Sequence, residues 1–372
     1  MKICYLSNNA FPSPVASSIQ TVKMCEAFSK LNNEVTLITI NESNSKINFL
    51  DYYNIKSKFI LKRIKYFKTF PLGINYYLFS IFSVLYSLRF KPEIYITRNY
   101  FTCFFLVILR KKVIMELHHD LNMESRIVRF LVTKFKFLNS PYIKKIIAIT
   151  QGVKDEYVKK NFVKKNKITV LPSGSSIKKK FNFLYNKKYF KIGYFGSLFE
   201  SRGLNLIKKL ASIDKDNSYY LYGDLKNINK FQYKNLHKNI KIHNYVPYKD
   251  VPNKLINMDI LILPYVSSIK VAGDVGDITK FTSPLKLFDY LSVGKIIICS
   301  DLKVLKEIIK DNVNAIFVKN YTNAFSWKNE IQKLKNQPNK QLIISRNNYR
   351  LSRKYSLNQR AKKILEEINP NL

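Results

Sequence analysis

Three short segments carry residue types whose spacing suits chemistry. The first runs Gly193-Tyr194-Phe195-Gly196-Ser197-Leu198-Phe199-Glu200-Ser201-Arg202-Gly203 and holds three of the chain's ten glycines within eleven residues. It reads as a strand, a tight turn at Gly196, and a helix starting after Arg202 and Gly203. Small residues after a strand let backbone N–H groups approach a phosphate, and a helix N-terminus favours negative charge there. Arg202 is placed to clamp a pyrophosphate through two parallel hydrogen bonds. The plainer alternative is an ordinary strand–helix turn with a solvated arginine. The second segment, Thr282 to Lys295, reads TSPLKLFDYLSVGK. Ser283 reads as an N-cap and Pro284 as the first helical residue, where its missing N–H costs nothing. Leu285 and Lys286 follow in the first turn, Asp289 lies about one turn on near the same face, and Gly294 ends the helix. Such a helix can hold diphosphate at one end and ribose hydroxyls at the other; the alternative is a capped surface helix. The third segment, Glu116-Leu117-His118-His119-Asp120, ends an apolar strand, and the carboxyl ends of parallel strands are where ligands bind in open α/β sheets.

Elements able to position these segments alternate along the chain. In the first half the expected strands are Lys2–Ser7, Val35–Ile40, Glu93–Thr97, Val113–Leu117, Lys145–Thr150 and Ile168–Leu171. Amphipathic stretches at Ile19–Lys30, Tyr76–Leu88, Arg126–Phe137 and Val153–Asn161 read as helices between them. A second series follows, with strands at Lys191–Phe195, Tyr219–Gly223, Ile240–Asn244, Ile260–Leu263, Ile296–Ser300 and Ala315–Val318. Its expected helices are Leu204–Ile213, Val251–Asn257, Pro284–Ser292 and Leu302–Lys310. This is the pattern of parallel sheets wrapped by helices. It predicts an α/β chain of two Rossmann-like domains facing each other across a cleft: residues 1–172, a hinge at 173–190, and residues 191–355. A closing helix over 356–368 is expected to pack back on the first domain.

Composition bounds the answer. At ~150 residues per domain, 372 residues make about two domains. Aromatic residues at 14% exclude acidic disorder, and ten glycines exclude collagen-like or Gly-rich repeats. The longest apolar run, Ile74 to Leu88, carries Asn75 and falls short of the ~20 residues that span a bilayer. The start, MKICYLSNNAFP, reads as a strand followed by turn formers, not as a signal peptide. Four scattered cysteines (4, 25, 103, 299) fit a reducing compartment and no zinc site. A cytoplasmic protein is therefore expected. The formal net charge is +39, and residues 51–200 hold 30 basic against 8 acidic side chains, whereas residues 251–300 hold 5 against 4. Positive potential on the first half would attract an anionic surface or polyanion. Asp274 and Asp277, in VAGDVGD, lack further ligands and make a weak case for a metal.

The second half resembles the donor domain of the family 4, retaining, GT-B-fold glycosyltransferases. GYFGSLFESRGLNLI is similar to their strand–Gly–helix donor loop, and SPLKLFDYLSVGKIIICSDL to the helix carrying their ribose-binding carboxylate. HNYVPYKDVPNKLINMDILILPY is similar to the run between these elements, and LPSG to the hinge. The resemblance implies a nucleoside diphosphate sugar donor, no metal cofactor, and binding by Arg202, Lys286 and Asp289, framed by Gly196, Ser197, Ser283 and Leu285. It also implies that His118 stabilises charge on the transferred sugar, with His119 as the alternative if the register slips by one. Two positions depart from the family pattern: Ser197 stands where an Arg usually follows the loop glycine, and Phe281 stands where the first of two Glu is common. In this family the polar stretch Ser7 to Ser18 would line the acceptor side, and it lacks the G-x-G-x-x-G of a dinucleotide site.

The expected activity is transfer of a sugar, with retention, to a growing and lipid-linked glycan. Work at the inner face of a membrane is expected from KSKFILKRIKYFKTF and FLVTKFKFL, where basic and aromatic residues interleave. A sugar-nucleotide epimerase of the same fold would need additional acids that the sequence does not place. A nucleic-acid-binding protein is disfavoured because the basic residues do not concentrate on one helix or aromatic platform.

Overall fold

The structure, a computed structural model, describes residues 1–41, 48–65, 72–178, 189–225, 236–266, 268–269 and 276–368. Most of the expected hinge (179–188), the end of the basic aromatic run (66–70) and Asp274 lie outside the described residues. The chain divides into two units, Met1–Ser173 with Leu357–Leu372, and Gly174–Ser356.

The first unit is a seven-stranded parallel sheet in the order β3-β2-β1-β4-β5-β6-β7. Its elements are β1 (Lys2–Ala10), α1 (Ala16–Lys30), β2 (Glu34–Asn41), α2 (Phe49–Tyr52), β3 (Ile60–Lys65), α3 (Leu72–Ser87) and β4 (Ile94–Thr97). They continue with α4 (Tyr100–Ile108), β5 (Val113–Leu117), α5 (Arg126–Phe135), β6 (Ile143–Ala148), α6 (Gln151–Lys159) and β7 (Ile168–Val170). Several of these elements correct the sequence reading. β3 was not expected: Ile60-Leu61-Lys62-Arg63-Ile64-Lys65 reads as a basic surface run, yet it pairs with β2 as the sheet edge. Charged side chains suit an edge, because they discourage pairing with another chain. α4, also unread, is capped by Asn99, whose side chain accepts from the Thr102 N–H at 2.9 Å. β1 runs past Ser7 to Ala10, with a register irregularity between Leu6 and Ala10 that turns part of the expected loop into strand.

The second unit holds a six-stranded parallel sheet, β10-β9-β8-β11-β12-β13. Its elements are β8 (Lys191–Phe195), α7 (Leu204–Ile213), β9 (Ser218–Tyr222), β10 (Ile240–His243), α8 (Val251–Ile256) and β11 (Ile260–Leu263). Then come α9 (Leu285–Ser292), β12 (Ile296–Ser300), α10 (Lys303–Lys306), β13 (Ile316–Val318), α11 (Ala324–Lys335) and α12 (Pro338–Lys354). The central strands ILIL and IIICS are buried at every position, as strands covered on both faces must be. Each such Ile or Leu contributes roughly 1.5–3 kcal/mol by burial. α13 (Leu357–Glu366) belongs to the first unit and packs on α1.

Strand order reverses at β1/β4 in the first sheet and at β8/β11 in the second. At such a switch point the connections leave in opposite directions and open a crevice at the carboxyl ends of the strands.

Candidate functional site

In the second unit, β8 ends at its switch point in the Gly196 turn. Gly196 has φ +142°, a conformation L side chains rarely adopt, and a Cβ there would lie 2.5 Å from Lys286 Nζ. Gly203, at φ +88°, starts α7, and its Cβ would strike the Pro264 carbonyl oxygen at 1.9 Å. Glycine is therefore required at both ends of the turn, once for a close cation and once for close backbone packing against the residue after β11.

Lys286 sits in the first turn of α9. Its Nζ donates to Tyr194 Oη at 3.0 Å and lies 4.1 Å from the centre of that ring. Tyr194 Oη in turn donates to the Ser197 carbonyl at 2.8 Å, tying the turn to the lysine. Nζ is also 5.6 Å from the centre of the Tyr265 ring, and the Arg202 guanidinium carbon is 5.8 Å from that same centre. The two expected cations thus converge on one ring beside Gly196. Burial, and then the Arg202 charge, hold the Lys286 ammonium well below its ordinary pKa. An anion placed beside both cations would oppose that shift.

Asp289 keeps other partners. It is buried, and Oδ1 accepts from Ser175 Oγ at 2.6 Å and Tyr248 Oη at 3.2 Å. Burial pushes its carboxyl up to about 7, against the pull of those two hydrogen bonds. The start of α9 differs from the sequence reading by one residue. Pro284, not Ser283, is the N-cap: its ψ is 119° and its carbonyl accepts the first helical bond, from the Leu287 N–H at 3.0 Å. Leu285 is then the first helical residue, and Ser283 precedes the cap. Gly294 follows the helix with φ +61°. Phe281 stands in the turn before this segment and is half-buried.

Sequence reasoning missed Tyr194, Tyr265, Tyr248 and Ser175, which hold the cations and the carboxylate. Their one signal was position, at strand ends and beside the LPSG run. It also missed a column of stacked rings, Phe195 on Tyr222 (4.6 Å) and Tyr222 on His243 (4.7 Å), across the ends of β8, β9 and β10.

In the first unit a cavity of about 250 Å³ opens at the β1/β4 switch point, lined in part by Asn9, Arg98, Asn99, Glu116, His118 and His119. Glu116, near the end of β5, is buried. Its Oε1 accepts from Arg360 Nη1 at 2.7 Å, and its Oε2 accepts from Tyr5 Oη at 2.9 Å and Arg98 Nε at 3.0 Å. Burial alone would raise the carboxyl, but Arg360 and Arg98 outweigh it and hold the group well below the usual carboxylate range. His118 Nε2 lies 3.7 Å from Glu116 Oε2 and has no hydrogen-bond partner among the described residues. Burial, followed by Arg98, depresses its pKa to about 3, so the imidazole is neutral at physiological pH. His119 differs: its Nε2 is 2.8 Å from Glu124 Oε1, and its carbonyl accepts from Tyr157 Oη. Arg360, from α13, was also missed; it reaches Glu116 across 244 residues of sequence. The remaining histidines are ordinary in their surroundings, with His237 bonded to Asn239 and His243 exposed on the ring column.

Among the described residues no three His, Cys, Asp or Glu side chains gather as a metal site. All four cysteines are free and buried. No described helix is long and apolar enough to cross a membrane. α5 buries Val128, Leu131 and Val132 and exposes Ile127, Phe130 and Phe135 beside Arg126 and Lys134.

Comparison with known proteins bears on both units. Residues 175–351 match the family model for glycosyl transferases group 1, and residues 18–178 match that for Glycosyltransferase Family 4. No curated protein matches the sequence as a relative. Among solved structures, HepE from Anabaena in complex with UDP-glucose is similar over 100% of both chains, at 14% identity and TM-score 0.72. A glycosyltransferase from Rickettsia africae is similar over 100% of this chain and 99% of its own, at 15% identity and TM-score 0.72. Sucrose-phosphate synthase from Thermosynechococcus elongatus is similar over 98% and 97%, at 12% identity and TM-score 0.74.

Proposed function

The chain belongs to the family 4-like GT-B glycosyltransferases, and from that premise we propose that it moves a sugar, with retention, from a nucleoside diphosphate sugar to a growing, lipid-linked glycan. The observation that carries the donor assignment is the convergence of Lys286 and Arg202 on Tyr265 beside the Gly196 turn. In this reading the two cations and the turn's N–H groups stabilise the departing diphosphate without a metal, and Asp289 accepts from the ribose hydroxyls. Gly196, Ser197, Ser283 and Leu285 shape the same subsite. His118, neutral and with Nε2 unpartnered among the described residues, stabilises positive charge developing on the transferred sugar. HepE's complex with UDP-glucose makes a UDP-linked hexose the first donor to try.

The acceptor side falls to the first unit, and the exposed Ile127, Phe130 and Phe135 of α5, flanked by Arg126 and Lys134, support a peripheral place on an anionic membrane at its inner face. The deciding experiment incubates the full chain with a panel of nucleotide sugars and follows slow release of the nucleoside diphosphate. Release from one or two members identifies the donor, and NMR of the product's anomeric configuration reads retention or inversion. A folded protein that binds and hydrolyses none of the panel removes the donor assignment. Co-sedimentation with anionic vesicles at low salt, reversed at high salt, tests the membrane surface.

A further inference from the structure

In the cavity at the β1/β4 switch point, Arg98 is held along one edge only. Its Nε donates to Glu116 Oε2 (3.0 Å) and Tyr5 Oη (3.2 Å), while Nη2, buried, has no hydrogen-bond partner among the described residues. Two other buried nitrogens on this cavity share that condition, His118 Nε2 and Asn99 Nδ2. The Asn99 amide is fixed in orientation, because its Oδ1 accepts the Thr102 N–H that starts α4.

The charges around the cavity do not balance. Glu116 is the one carboxylate among its lining residues, and it is shared between two arginines. Arg360 is used up from within: Nη1 donates to Glu116, Nε to the Pro172 carbonyl and Nη2 to the Leu171 carbonyl. That leaves one positive charge in excess on Arg98, which lines the cavity. A guanidinium edge beside unmatched N–H donors, with no further acid, has the chemistry of an oxyanion site.

We infer that this cavity takes an anionic group of the acceptor, a carboxylate or a phosphate, on the free edge of Arg98. The inference rests on the acceptor-side reading of the first unit and adds to it the class of acceptor: an acidic sugar or a sugar phosphate in preference to a neutral one. Asn99 Nδ2 supplies a further contact, which leaves His118 to the transferred sugar.

The test uses the full chain and three probes, methyl glucoside, methyl glucuronide and glucose 6-phosphate, bound by calorimetric titration. The wild-type protein is expected to bind at least one acidic probe about tenfold or more tightly than methyl glucoside. The tighter of the two acids tells carboxylate from phosphate. Arg98→Gln is expected to erase the preference, whereas the Arg202→Ala, Lys286→Ala double variant keeps it. Equal affinity of the wild type for all three probes overturns the inference. So does a preference lost in the double variant but kept in Arg98→Gln, which would put the anion in the second unit. If Arg98→Gln does not fold, Arg98→Lys retains a charge for Glu116 and lacks the fork; an undiminished preference there counts against the inference. Nucleoside diphosphate release by the same protein preparations, given the nucleotide-sugar panel in separate samples, reads the donor assignment on its own, so that a protein with release and no acid preference refutes this inference alone.

Discussion

Glu116 and Asp289 are both buried carboxylates in parallel α/β units, yet one is held well below the usual carboxylate range and the other is pushed up to about 7. Burial acts on both in the same direction, so the partners decide. Glu116 meets two guanidinium groups and a phenol; Asp289 meets two hydroxyls. The same contrast separates the cations. Arg360 finds its carboxylate within the first unit, whereas Lys286 rests on a tyrosine hydroxyl and two ring faces. The first unit completes its charge network from its own chain, down to one spare arginine edge. The second leaves Lys286 and Asp289 without an ionic partner among the described residues, and in the proposed function a ligand completes them. Self-paired charges fix a shape, while charges lacking an ionic partner cost stability until substrate arrives.

The largest expected effect comes from breaking the self-paired side. Glu116→Gln would leave Arg98 and Arg360 buried around a neutral amide, and we expect a loss of about 3–5 kcal/mol in unfolding free energy, measured by urea titration. A loss below about 1 kcal/mol would mean that water already screens the arginines. The ligand-completed side should behave in the opposite way. Lys286→Met replaces a strained ammonium by an apolar chain of similar length, so stability should change by less than about 1 kcal/mol. Turnover of the nucleotide sugar should fall roughly 10²–10³-fold, as it does when a preorganised charge donor is removed. A variant that loses stability and keeps activity would exchange the roles assigned to the two units.

The same difference governs what could be read from the sequence. Lys286, Arg202 and Gly196 were legible because local rules place them: a glycine that needs positive φ, a helix start, a cation in the first turn. The sheet was legible wherever strands are apolar on both faces, as in Ile260–Leu263 and Ile296–Ser300. β3 was not, because Ile60-Leu61-Lys62-Arg63-Ile64-Lys65 mixes charged and apolar residues without a period of two and so looks like surface. Arg360 was not, because no local signal ties a helix near the end of the chain to a strand 244 residues earlier. Ser283 missed the cap by one position, since a proline tolerates both the N-cap and the first helical place until its ψ is known. Ser175 and Tyr248 were invisible for a further reason: hydroxyl partners of a buried acid follow from tertiary packing and leave no periodicity.

A smaller effect separates the adjacent histidines. His118→Gln is expected to lower turnover about 10–100-fold with little change in donor affinity, while His119→Gln, which removes a ring paired with Glu124, should cost only a few-fold by comparison. Because His118 is depressed to about 3, the wild-type rate should show no limb from this residue between pH 5 and 8. A histidine limb in that range that disappears in His118→Gln would show that the imidazole works as a charged acid.

The effect that reads the second unit most directly is the pH response of Asp289, whose smallest part is a few-fold change in donor affinity. Its folded pKa of about 7 lies above the unfolded value of 3.8. Between those values the folded chain holds a proton that the unfolded chain has released, so stability falls as pH rises. The contribution is full below about pH 4 and is lost as pH passes about 7. Asp289→Asn stays neutral throughout and carries no such loss. The stability of the variant relative to wild type should therefore increase between pH 5 and 8, on the order of 2–3 kcal/mol, or roughly 4–12 °C in the unfolding midpoint of that unit. Donor binding should run the other way. Ribose hydroxyls donate better to the charged carboxylate than to the protonated one, so nucleotide affinity should rise a few-fold as pH passes about 7 and release a proton on binding. In Asp289→Asn the affinity should be lower at pH 8 and flat across the range. A wild-type affinity that is flat from pH 5 to 8, in a protein whose stability does show the Asp289 loss, would mean that the ribose leaves this carboxylate to Ser175 and Tyr248, and that the second unit completes this charge for itself as the first unit does.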